Sequence, residues 1–568
     1  MPAEFDMVIR GGTVADGGGG PLREADVAIR DGKIAAVGKV AGSGAEEIDA
    51  KGLLVTPGFV DVHTHYDGQL TWSDRLSPSS SHGVTTVVTG NCGVGFAPCT
   101  ERNRDSLVRL MEGVEDIPEV VMTEGLPWDW ESFPDFLNSI ERKPHDIDFA
   151  VLLPHSPLRV AVMGDRALNL EPSTEADRAQ MRAIAKEAML AGAAGFATSQ
   201  NIYHKASDGA SVPTLTAAEA ELTAIAMGLS EAGRGNLQAI TLTDDHRLEN
   251  FEVYHRVARA SGRPLSYTLL QMDIHPPSLW REVMDSISRE NARGGRIKAQ
   301  VFNRPGGGIA GLENNYHPFA EHPLYKERLA HLPLAARVAE MRKPEVRAAL
   351  LAPDAALATS APFDALFPLG DPADYEPHPS TSVAALAAAR GMNPFEVVYD
   401  MLLERDGRAK LLRTMTGYVD RNLDTALELL QHKDTVLALG DGGAHYGFVC
   451  DASYTTTNLT HWVRDRQRGG RLGLAEAVAM LTDAPARLYG FRDRGRLAPG
   501  LKADVNIIDM DRLTLHAPEM VHDLPAGGRR LDQQADGYVA TLVSGQPIQR
   551  DGKDTGARPG RLVRDASA

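Results

Sequence analysis

Val55-Thr56-Pro57-Gly58-Phe59-Val60-Asp61-Val62-His63-Thr64-His65 decides how this chain is read. An apolar run, punctuated by Pro-Gly and closing on polar residues, reads as a short buried strand with its carboxyl end at His63–His65. Residues two apart in a strand point to the same side. His63 and His65 therefore present two imidazoles to one point, and imidazole is a common ligand of zinc and similar metals. The plain alternative is a pair of surface histidines beside a turn.

Working outward, apolar segments of strand length recur at 84–90, 147–153, 193–199, 236–243, 264–271, 297–302 and 435–441, making eight with 58–63. Helical patterns separate most of them. Thr216-Ala217-Ala218-Glu219 reads as a capping box before the stripe Leu222, Ile225, Ala226, Leu229. Thr174 precedes another stripe at Met181, Ile184, Ala185, Ala188 and Met189. Strands alternating with helices imply a parallel sheet, because parallel strands need crossovers. Eight such units predict an α/β fold, a (β/α)8 TIM-like barrel. An open doubly wound sheet ranks lower, since no Gly-x-Gly-x-x-Gly turn follows the first strand. Both chain ends read as β structure with Asp-Gly and Ser-Gly turns. We therefore expect a small β-sandwich domain from residues 1–57 plus 495–568, and a barrel from 58–494. Residues 303–434 are too long for one crossover and are expected to form an insertion over the active site.

Composition sets outer limits. The 568 residues are 43% hydrophobic and 24% charged, with a net charge of −17. An acidic surface argues against nucleic acid and anionic membrane as partners, and leaves a small molecule as the expected one; a homo-oligomer is compatible with the sequence. Three cysteines cannot make a disulfide framework. Residues 1–6 lack a basic region followed by an apolar core, and no apolar run approaches the ~20 residues that span a bilayer. The expected location is the cytoplasm.

Barrel active sites lie at the carboxyl ends of the strands. The polar residues there are His63, His65 and Asp67 after the first strand, Asn91 and Cys92 after the second, and His155 and Arg159 after the third. The fifth gives Thr241, Thr243, Asp244 and Asp245, the seventh Asn303 and Arg304, and the eighth Asp441. Cys92 sits in a tight polar turn rather than a core stretch, which favours a site role over packing. The Gly-Gly after Asp441 permits close backbone approach, which favours a metal or base role over a helix cap. Tyr203 and His204, past the fourth strand, and His445, past the eighth, are candidate substrate contacts beside His155 and Arg304. Each also has an ordinary reading as a loop residue or salt bridge.

These motifs resemble the amidohydrolase superfamily and, within it, the N-acyl-D-amino-acid deacylase (D-aminoacylase) family. The resemblance is carried by Pro57–His65, by His82-Gly83-Val84-Thr85-Thr86-Val87-Val88-Thr89-Gly90-Asn91-Cys92-Gly93, by Leu439-Gly440-Asp441-Gly442-Gly443, and by Gly495–Val505. It implies metal ligands at His63, His65, Cys92 and Asp441, with Asp441 also acting as general base and then acid. The chain departs from the family at a second metal site. There, strands five and six each supply a histidine, whereas Ala239–Asp244 and Ser266–Gln271 contain none, and Gln271 replaces a basic residue.

The resulting expectation is a hydrolase of a non-peptide carbon–nitrogen amide bond in a small N-acylated substrate, most simply an N-acyl-(D-)amino acid. A divalent metal, zinc above others and one ion rather than two, would supply hydroxide at neutral pH. Recruitment of His155, His204 or His445 as further ligands is the variant reading. A degenerate, non-catalytic binding barrel and a cyclic amide hydrolase are the alternatives.

Overall fold

The computed structural model describes residues 3–242, 247–352 and 362–564. Eight parallel strands follow one another in chain order: β1 (Phe59–Asp61), β2 (Val84–Thr89), β3 (Asp148–Pro154), β4 (Gly195–Asn201), β5 (Asn236–Leu242), β6 (Leu265–Thr268), β7 (Ile297–Val301) and β8 (Thr435–Leu437). Each falls on one of the apolar segments predicted from sequence. The first and last meet just past their ends. The Asp441 N–H donates to the His63 carbonyl (3.0 Å), and the His65 N–H to the Gly442 carbonyl (2.8 Å). The barrel fold follows, and these closing bonds also fasten the two candidate ligand segments to each other.

Helices cover the barrel for the reason the stripes suggested. Glu175–Ala191 buries Met181, Ala185, Ala188 and Met189, and opens with a Thr174–Asp177 capping box. The capping box predicted at Thr216–Glu219 does not form. That helix is Glu219–Ala232 with Ala218 at its N-cap, and the Thr216 hydroxyl turns instead to the Leu170 carbonyl.

The terminal β structure is one nine-stranded sheet that joins strands within 5–57 to strands within 505–554. Leu54–Pro57 pairs with Val505–Ile508, directly before β1. The sheet packs around a core that includes Ile9, Val27, Ile29, Val505 and Leu542, drawn from both ends of the chain. The final residues leave this sheet. Gly560 and Val563 donate backbone hydrogen bonds to the carbonyls of His145 (2.8 Å) and Phe149 (2.8 Å), strapping 560–563 along the amino end of β3.

Between β7 and β8, residues 303–434 carry helices and a three-stranded sheet (Gly306–Ala310, Leu366–Pro368, Leu411–Thr416) around their own core of Leu312, Phe319, Val397 and Tyr399. The predicted helices appear as Val383–Arg390 and Pro394–Leu402; the sheet was not foreseen. Backbone bonds from Ile309 to Phe448, Asn315 to Gly447 and Gly417 to Gln271 tie this segment to the loops after β8 and β6, at the carboxyl end of the barrel.

Candidate metal centre

His63 and His65 leave β1 on one side, as strand alternation requires. The Asp61 carboxylate accepts the His63 N–H at 3.1 Å and holds the first of them. Cys92 comes from the turn after β2. Its own φ is +56°, and the turn is fixed by Asp67, which accepts from the Thr89 hydroxyl (2.5 Å) and the Gly90 N–H (3.1 Å). Asn91 donates to the carbonyls of Thr64 and Val88. Gly93, at φ +67°, packs so closely on Thr198 that a Cβ would collide with its Cα. The Gly-Asn-Cys-Gly motif is thus a device for aiming one thiol. Asp441 arrives from the loop after β8 with φ +47°, pinned by its N–H to His63.

The four side chains converge. The Cys92 Sγ lies 3.4 Å from His63 Nε2 and 3.7 Å from His65 Nε2. Asp441 Oδ1 lies 3.5 Å from each of the same two nitrogens. A tetrahedron with bonds of about 2.0–2.3 Å, as zinc forms with nitrogen, oxygen and sulfur, has edges of about 3.3–3.8 Å. His63, His65 and Cys92 bring their donor atoms close enough together to share such an ion, and Asp441 stands beside them, 3.5 Å from both imidazoles. His63, His65 and Cys92 are buried, whereas Asp441 is 22% exposed and gives the cluster its open side.

Electrostatics follow from that burial. Burial pushes His63 down to about 4 against the pull of Asp441, leaving a neutral imidazole. Gln300 on β7 donates to Ser266 (3.0 Å) and turns its carbonyl oxygen to His63 Nδ1 at 2.6 Å, so the Nδ1 carries the proton and Nε2 offers the lone pair. His65 is likewise penalised by burial, but Glu115, Cys92 and Asp441 hold it well above its ordinary value. Burial pushes the Cys92 thiol up to about 12, so a bound cation would be needed to keep it as thiolate. Asp441 would rise on burial, yet the neighbouring histidines hold it below the usual carboxylate range.

The remaining candidates divide. His445 lies on the rim, 29% exposed, with Nε2 3.7 Å from Glu115. His204 is held by the Ser199 hydroxyl (2.9 Å), and burial together with His445 and His65 lowers it to about 3. Tyr203 is 59% exposed. His155 and Arg304, expected to meet substrate, are committed inside the protein instead. His155 sits between Thr198 (2.8 Å) and Glu221 (2.9 Å), while Arg159 also binds Glu221. Arg304 pairs with Asp451 (2.8 Å) under the Tyr375 ring. Asn303 bonds the Tyr454 carbonyl. Thr243, Asp244 and Asp245 lie outside the described residues. Sequence reasoning missed Glu115 and Gln300. Gln300 had a signal, a polar residue two from the half-exposed Lys298 in an otherwise apolar strand; Glu115, at the end of the helix Arg104–Glu115, had none.

Comparison with known proteins bears on the chain as a whole. A profile described as the Amidohydrolase family matches residues 46–549. An N-acyl-D-glutamate deacylase of Alcaligenes xylosoxydans xylosoxydans is 28% identical over all of this chain and 98% of its own length. An N-acyl-D-aspartate deacylase from the same organism is 42% identical over 200 residues, 35% of this chain; that match spans only 37% of the relative's length. Among solved structures, the N-acyl-D-glutamate deacylase of Bordetella bronchiseptica, complexed with zinc and a phosphonate inhibitor, superposes with a TM-score of 0.64 at 24% identity, over 99% of each chain. In no described helix is there a span long and apolar enough to cross a membrane. By the extent of the profile match, the chain belongs to the amidohydrolase family.

Proposed function

We propose that this protein is a metal-dependent hydrolase that cleaves the amide bond of a small N-acylated amino acid or related compound. The observation that carries the reading is the convergence of His63, His65 and Cys92 on one point at the carboxyl face of the barrel, with the Asp441 carboxylate 3.5 Å from both imidazoles. One zinc ion held by these residues would polarise the acyl carbonyl and lower the pKa of a water from ~15.7 to ~7. Asp441 is the cluster member with an exposed face and a carboxylate held ionised. It can take a proton from the attacking water and return it to the departing nitrogen. His445, His204 and Tyr203 form the rim that meets the acyl and amine groups, and residues 303–434 wall the same face. We take 1–57 with 495–568 as one structural unit and 58–494 as the other. Similarity to two deacylases of N-acylated acidic D-amino acids supports the substrate class.

β6 and the residues that follow it, Leu265–Gln271, contain no histidine, which favours one ion over two and supports a second reading: a barrel that binds without turnover. Metal analysis of the purified protein, with a panel of N-acyl D- and L-amino acids, separates them. About one zinc per chain and turnover of one panel member, both lost in His63→Ala, is the expected result. Absence of metal, or stoichiometric zinc with no hydrolysis of any N-acyl substrate, overturns the proposal.

A further inference from the structure

The two histidines of the cluster have different partners behind them. His63 Nδ1 faces a neutral amide, Gln300. His65 Nδ1 faces a carboxylate, Glu115 Oε1, at 3.3 Å. Glu115 is 1% exposed, and neither its Oε1 nor His65 Nδ1 has a hydrogen-bond partner, so the two face each other as an ion pair that no other group satisfies. A carboxylate taken this far out of water is costly unless a donor meets it, and the donor within reach is that imidazole. The other oxygen, Oε2, lies 3.7 Å from His445 Nε2, and the Glu115 carbonyl accepts the His445 N–H. Asp116, next in sequence, accepts from Asn315 of the insertion (2.9 Å) and from the Gly447 N–H (3.3 Å).

We infer that Glu115 is a positioning residue for the metal centre. It holds the Nδ1–H of His65, so that Nε2 is the nitrogen turned to Cys92 and Asp441. It also clasps the loop after β8, which carries Asp441, to the helix after β2. One side chain from outside the cluster thereby sets the aim of one proposed ligand and the approach of another. The inference rests on the metal-binding reading given above. Outer carboxylates that orient ligand histidines raise ligand basicity and metal affinity.

The test is zinc affinity, measured by competition with a chelator, in the full-length wild type, Glu115→Gln and Glu115→Ala, together with the visible spectrum of the cobalt-substituted proteins. Glu115→Ala is expected to weaken zinc binding about 10- to 100-fold and to change the cobalt band intensities. Glu115→Gln keeps an acceptor oxygen and is expected to lose less affinity, while still shifting the cobalt spectrum. Wild-type affinity and an unchanged spectrum in both variants overturn the inference and leave the proposed function standing. Should Glu115→Ala fail to fold, an unaltered Glu115→Gln overturns it alone. A lower thermal midpoint of the metal-free protein with intact zinc affinity also overturns it, by making Glu115 mere scaffold. A wild type that takes up no zinc overturns both proposals.

Discussion

Asp441 and its neighbour Gly440 have opposite tasks within two residues. On the proposed mechanism Asp441 reaches the reacting atoms, so Asp441→Ala is expected to lower kcat on a panel substrate by about 10²- to 10⁴-fold with the circular dichroism spectrum unchanged. Gly440 must let the loop close on β1. A Cβ there would overlap Asp61 Oδ2 and press on the Tyr454 ring. Gly440→Ala should destabilise the protein by about 1–3 kcal/mol, the usual range for overpacking, read as a lower urea midpoint. At this scale the sequence spoke through spacing. His63 and His65 were legible because alternation is a local rule. Cys92 and Asp441 were legible because glycines beside them marked turns. Glu115 was not, because nothing in its own stretch of helix shows that a histidine fifty residues earlier in the chain will face it. Arg304 misled for the converse reason. An arginine at a strand end looks available until Asp451, far along the chain, is seen to take it.

Elements were the most readable level, since apolar runs bounded by Gly and Pro mark buried strands whatever lies between them. All eight barrel strands were placed this way, as were the helices at 175–191 and 394–402. The failures share a cause. The sheet within 303–434 pairs Gly306–Ala310 with Leu411–Thr416 across about a hundred residues, and short Gly-rich strands carry no periodic signal. The strap at 560–563 is only Gly-Arg-Leu-Val, too short to carry a periodic signal, and its partners lie at and just before the start of β3. Two consequences are measurable. Thr174→Ala removes the capping box of the helix Glu175–Ala191 and is expected to cost about 1 kcal/mol, checked by denaturant unfolding. Deleting residues 558–568 exposes the edge at His145–Phe149 and leaves Asp148 without the Arg561 N–H (2.9 Å); the thermal midpoint should fall while zinc content stays at the wild-type level.

For the molecule as a whole, buried ionisable groups set the acid limit. Burial pushes His82 and His255 down to about 4 and His317 to about 3. Their unfolded forms bind protons near 6.5, so stability is lost as pH falls below that value. Burial alone would raise Glu221 and Glu376. Instead, His155 and Arg159 hold the first at about 2, and His461 and Arg466 hold the second at about 2. These carboxylates contribute stability that is fully present above their unfolded value near 4.5 and is lost towards pH 2. Thermal midpoints of chelated protein should therefore decline gently from about pH 6.5 and steeply below about pH 4.5; a flat profile down to pH 4 would contradict these assignments. The architecture was legible at this scale because eight repeats of one unit admit few closures, but the mutual embrace of the two chain ends was visible only as similar composition. That embrace has a consequence for synthesis. The strand Leu54–Pro57 leaves the ribosome some 450 residues before Val505–Ile508, the strand that pairs with it. Until residues 505–508 are made, the edge of Leu54–Pro57 has no strand to take up its hydrogen bonds, so the terminal sheet can close only late in synthesis.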